Sequence, residues 1–172
     1  MSGHHNPSDV RLTSYQQELV DRLQPLVARL DAAKVTAESG LRIEKQGKSW
    51  DVRLLVEARD ERIPGLKLTA AQSYCVLGFA QSEQVECHSD PGSRRWVVEN
   101  VVELTERYLS GVTLVQNLDK RGRVIRIDYF YGVQVEGASA SPIGTSRYPF
   151  LFRRVHHTET LSFRFLKNEG AA

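Results

Sequence analysis

Apolar residues recur at spacings of three and four near the start of the chain, at Tyr15, Leu19, Leu23, Leu26, Val27 and Leu30. That period is the buried stripe of an amphipathic helix. Thr13 and Ser14 are good caps, each followed three residues later by a glutamine. The pattern predicts a helix over residues 13–38, kinked or broken at Pro25 and stopped by Gly40. The period then changes to two. Residues 41–45 and 50–58 alternate around a Gln46-Gly47-Lys48 turn and predict a hairpin. Residues 59–62 are charged, and Pro64-Gly65 is a turn. Residues 74–79 and 84–88 predict a second hairpin. A turn centred near Gln81 would set Cys75 opposite Cys87.

Asp90-Pro91-Gly92-Ser93 reads as a turn and cap. The helix over residues 93–110 buries Val97, Val101, Leu104 and Tyr108, keeps Glu99, Glu103, Glu106 and Arg107 outside, and closes at Gly111. The next stretch, residues 112–132, reads VTLVQNLDKRGRVIRIDYFYG. It is two strands joined at Asp119-Lys120-Arg121-Gly122, with the glycine supplying a left-handed turn residue. Alternation puts Val115, Ile125, Ile127 and Tyr129 on the face toward the helices, and Leu114, Val124, Arg126 and Asp128 on the other. Residues 137–146 are small and polar and read as a long mobile loop. Residues 150–155 and 160–166 read as two strands around a turn at 156–159.

These elements predict an α+β fold: a mostly antiparallel, hairpin-built sheet of six to eight strands with two main helices packed on one face. Residues 11–168 form the expected domain, between a disordered N-terminal tail at 1–10 and a short C-terminal tail at 169–172. At 172 residues, 41% hydrophobic and 26% charged, the chain has an ordinary globular composition. It contains no apolar run long enough for a membrane span and begins with no signal-like stretch, so cytoplasm is the expected compartment. Two cysteines are too few for a secreted disulfide scaffold.

The net charge of +2 hides a polarity. Residues 1–119 carry 14 basic and 17 acidic side chains, whereas residues 120–172 carry 9 and 4. Arginine supplies 17 of the 23 cations, and a guanidinium grips carboxylate or phosphate with two bonds. The candidate binding residues are therefore Lys120, Arg121, Arg123 and Arg126 on the hairpin, joined by Arg153 and Arg154 if the C-terminal strands lie beside it.

Catalytic signatures are missing. The sequence contains no Cys-x-x-Cys, no helical His-x-x-x-His, no nucleophile elbow, no phosphate loop and no dinucleotide fingerprint. No metal ligand, cofactor-binding residue or catalytic residue is assigned. His157-Thr158-Glu159 spells the His-x-Glu of zinc deaminases, but the partner motif is absent. The expectation is a non-catalytic protein that binds another macromolecule, foremost a protein with an acidic surface, with an immunity or antitoxin protein as the concrete form. Two other readings stay open. One is a ligand-binding protein or enzyme with a pocket between sheet and helices, where Tyr108, Cys75 or His156 converge. The other is a nucleic-acid binder that stacks bases on the aromatics of the basic half, among them Tyr129, Phe130, Tyr131, Phe163 and Phe165.

Overall fold

The computed structural model describes residues 10–79, 82–87, 91–132, 142–147 and 154–167. The expectations placed on residues 1–9, 137–141 and 169–172, and on Arg153, lie outside them. The first helix, α1 (Ser14–Ala28), starts at Thr13 with a full capping box. The Gln16 amide reaches Thr13 Oγ1 at 3.4 Å, and the Thr13 amide reaches Gln16 Oε1 at 2.9 Å. Tyr15, Leu19, Leu23 and Leu26 are buried as their spacing predicts. Pro25 falls in the last full turn, and the helix ends three residues later, well short of Gly40. The missing proline N–H removes one rung there. The chain instead turns to meet its own C-terminal segment: Asp31 N–H donates to Phe165 O at 2.8 Å and Lys167 N–H to Arg29 O at 2.9 Å. No local pattern announces that long-range pairing.

The first sheet is a five-stranded meander in sequence order. Its strands are β1 (Gly40–Gln46), β2 (Ser49–Val56), β3 (Leu66–Ala70), β4 (Tyr74–Phe79) and β5 (Ser82–Cys87). The β1–β2 loop is Gly47-Lys48, with Gly47 at φ 62° as a two-residue hairpin requires. Strand β3 is an addition to the expected elements. It is only five residues long, but Leu66, Leu68 and Ala70 alternate into the core. The β4–β5 hairpin forms with Tyr74, not Cys75, opposite Cys87, one residue from the register that would set the two cysteines across from each other.

Helix α2 (Pro91–Ser110) buries a wider stripe than expected, adding Val98, Val102, Thr105 and Leu109 to Val97, Val101 and Tyr108. A second, four-stranded antiparallel sheet follows, in the order β8-β7-β6-β9. Its strands are β6 (Val112–Leu118), β7 (Val124–Tyr131), β8 (Gly144–Arg147) and β9 (His157–Phe163). Three expectations change here. Residues 144–147, read in part as loop, form edge strand β8. Residues 157–159, read as a turn, belong to β9. On β6, Leu114 and Val112 face the core in place of Val115, while Ile127 and Tyr129 on β7 face inward as expected.

The antiparallel, hairpin-built α+β class therefore holds, with the strands divided between two sheets. Both helices and both sheets feed one continuous apolar core, and α1 lies against α2. Tyr108 is a hub of that core. Its hydroxyl donates to Pro64 O at 2.7 Å, and its ring lies 5.0 Å from that of Phe79 and 5.6 Å from that of Phe165. No helix among the described residues is long and apolar enough to cross a membrane.

Candidate functional site

The β6–β7 hairpin is shaped by a bulge. Asn117 pairs with Arg126 but Leu118 pairs with Val124, so Ile125 is an extra residue on β7. The simplest register would set Gln116 opposite Arg126 and Leu114 opposite Asp128. The bulge moves each by one, to Gln116–Ile127 and Leu114–Tyr129. That shift is why Leu114 turns inward.

The tip of the hairpin is held by Asp119, which is almost fully buried. Its carboxylate accepts from the backbone amides of Arg121 at 2.8 Å and Arg123 at 3.1 Å, and from Arg123 Nε at 3.1 Å. Asp119 N–H in turn donates to Arg123 O at 2.9 Å, and Gly122 N–H to Asp119 O at 3.0 Å. Gly122 takes φ 73°, a conformation that only glycine adopts without cost. These bonds pin the loop backbone to Asp119, and Lys120 and Arg121 are exposed on it.

Farther down β7, Arg126 Nε donates to Asp128 Oδ1 at 2.9 Å. Thr145 of β8 donates to the same oxygen at 2.7 Å. Two of the candidate binding residues, Arg123 and Arg126, thus already have partners within the fold. Arg123 and Arg126 are partly exposed but spend their charge on buried Asp119 and Asp128. A buried carboxylate needs such a partner, so these two arginines are structural as well as exposed.

Strand β9 runs beside β6, and His156 N–H donates to Leu118 O at 2.8 Å. The C-terminal segment lies next to the hairpin because β9 pairs with β6, across two intervening strands of the chain. That brings Arg154 to the same end of the sheet as Lys120 and Arg121. Sequence reasoning missed Arg147, which stands directly opposite Arg126 on β8 and is exposed. Residues 144–147 are too short and polar to show a period, so nothing in them signalled a strand. Among the described residues Lys120, Arg121, Arg147 and Arg154 make no ion pair.

The groups that an enzyme reading would bring together are apart. Tyr108 is sealed between Phe79 and Phe165, Cys75 is buried on β4, and His156 is exposed near the hairpin tip. Burial raises the Tyr15 hydroxyl well above its usual range, with Cys75 and Asp51 nearby adding to the effect. That hydroxyl donates to Tyr74 O at 3.2 Å and serves packing. Among the described residues no group of three or more His, Cys, Asp or Glu is placed to hold a metal ion. Tyr129 and Phe165 are buried, and Phe163 packs edge-on to Phe165 at 4.9 Å. Tyr131 is covered by the Arg107 guanidinium at 4.6 Å. These rings pack into or against the core. Comparison with protein families, curated proteins and solved structures finds none that matches this chain.

Proposed function

We propose that this chain is a non-catalytic cytoplasmic protein that binds an acidic surface of another protein through the basic end of its second sheet. An immunity or antitoxin protein that covers a toxin is the concrete form of this reading. One observation carries it: Lys120, Arg121, Arg147 and Arg154 stand exposed and without ion pairs among the described residues, beside a hairpin whose two carboxylates, Asp119 and Asp128, are engaged by Arg123 and Arg126. Exposed cations that form no ion pair among the described residues can attract an anionic partner and speed its docking. A protein fits better than a nucleic acid, because Tyr129 and Phe165 are buried and so withdrawn from base stacking.

The test compares the wild-type chain with the triple variant Lys120→Glu, Arg121→Glu, Arg154→Glu as baits from the source cell extract, at low and high salt. The variant should unfold at the same denaturant concentration as the wild type, since these side chains are exposed and make no ion pair among the described residues. A protein held by the wild type and lost by the variant at low salt supports the reading, and the difference should shrink at high salt. Equal recovery by both baits would remove this surface. Recovery of nucleic acid alone would replace the protein partner with the alternative.

A further inference from the structure

Strand β1 is an edge of the first sheet and pairs with β2 without a break, from Gly40 opposite Leu55 to Gln46 opposite Ser49. Its charged rows are arranged against it. Arg42 stands opposite Arg53, and Glu44 stands opposite Asp51. Like charges directly opposite each other destabilise a strand pair. Arg53 relieves part of this by reaching diagonally across to Glu44 Oε2 at 3.1 Å and along its own strand to Asp51 Oδ2 at 3.9 Å. Arg42 gains no carboxylate among the described residues; it donates to the Glu38 carbonyl at 2.9 Å. Between Arg42 and Glu44, at the centre of the edge, Ile43 is left 40% exposed.

We propose that β1 pairs antiparallel with β1 of a second copy of this chain, about a two-fold axis at Ile43, and so makes a homodimer with one continuous sheet. In that register Arg42 lies opposite Glu44 of the second copy, and Glu44 opposite its Arg42. Each row then reads Asp51, Glu44, Arg42, Arg53 across the dimer, so every like-charged pair meets a pair of the opposite sign. Ile43 meets its own copy at the axis and loses its exposure. Leu41 faces Lys45, whose aliphatic stem covers apolar surface. Amides and carbonyls on the open side of the edge gain strand partners, and the contact is self-complementary, as a two-fold interface must be.

The edges of the second sheet match fewer charges when each is paired about its own central residue. Pairing β9 with itself about Thr160 sets Glu159 opposite Leu161 and His157 opposite Phe163, with no charges matched. Strand β8 has only four residues. The inference is independent of the proposed partner, because β1 belongs to the other sheet.

Sedimentation equilibrium of the full chain tests it. The wild type should run at twice the chain mass. Arg42→Glu, which sets Glu against Glu44 of the second copy, should weaken association about tenfold or more. The double swap Arg42→Glu, Glu44→Arg restores opposite signs and should restore the dimer. A monomeric wild type, a dimer indifferent to Arg42→Glu, or a swap that fails to rescue would each overturn the proposal. Ile43→Cys supplies a measurement that does not depend on the folding of the charge variants. Mild oxidation should link two copies through this position. Failure to cross-link under conditions where the chain is dimeric would overturn the register.

Discussion

Arg126 and Asp128 lie two positions apart on β7, on one face of the sheet, with the guanidinium closing on the carboxylate at 2.8 Å. Asp128 is almost fully buried, and Thr145 supplies its other described hydrogen bond, at 2.7 Å. Removing Arg126 therefore strands a buried charge that one threonine hydroxyl cannot satisfy. Arg126→Ala is expected to destabilise the fold by about 1–3 kcal/mol. Arg121→Ala, on an exposed side chain with no ion pair among the described residues, should change stability by less than about 0.5 kcal/mol. Urea unfolding of the two variants separates them. Equal, small losses would mean that Asp128 finds water or another partner.

Gln16 occupies a core position of α1 with no exposure at all. Its side-chain amide donates to Trp50 O and Ala70 O, both at 2.8 Å, and thereby ties the helix start to β2 and β3. Gln16→Ala leaves two carbonyls without these donors and breaks the capping box. A loss of about 2–4 kcal/mol is expected, more than a cap alone supplies. Gln16→Glu should also destabilise, because a carboxylate cannot donate to the carbonyls. Chemical denaturation of both variants checks this.

Burial raises the Tyr131 hydroxyl from 10.0 to about 12, against the opposing pull of the Arg107 guanidinium. The folded state therefore resists ionisation of this phenol more than the unfolded chain does. The stability tied to it is fully present below pH 10 and is lost as the pH rises toward 12. Tyr131→Phe should flatten the decline of stability with pH across that window, and tyrosinate absorbance of the folded wild type should show a late-titrating group. Identical alkaline profiles for variant and wild type would exclude Tyr131 as a contributor.

Gly122 and Gly65 should fail differently when replaced by alanine. At Gly122 an added Cβ meets nothing within 4 Å, but φ is +73°. The cost is backbone strain alone, about 1 kcal/mol. At Gly65 the Cβ would lie 2.9 Å from the Val56 carbonyl oxygen, so backbone must shift. Gly122→Asn should recover part of the loss at its site, since asparagine tolerates the left-handed region. Thermal unfolding of the three variants distinguishes strain from clash.

Elements with a local period were legible in the chain. The stripe at Tyr15, Leu19, Leu23 and Leu26, the Thr13–Gln16 box, the Gly47 and Gly122 turns and the helix ending at Ser110 follow from spacing and backbone preference alone. So does the basic character of the second half, because charge is counted without coordinates. Strand β3 and strand β8 were not legible. One is five residues and the other four, and so short a run shows too few alternations to declare a period.

Only the tertiary structure decided which cations are available. Arg121, Arg123 and Arg126 look alike in the sequence, yet Asp119 and Asp128 claim the last two and leave the first. The bulge at Asn117–Leu118 decided which face of β6 is inside, since one extra residue on β7 inverts the pairing. The division into two sheets, the return of the C-terminal segment to Arg29 and Asp31, and the stacking of like charges along β1 and β2 were likewise settled by register. Register is fixed by contacts between residues far apart in the chain. A sequence records the period of each segment, but not the offset at which two periods meet.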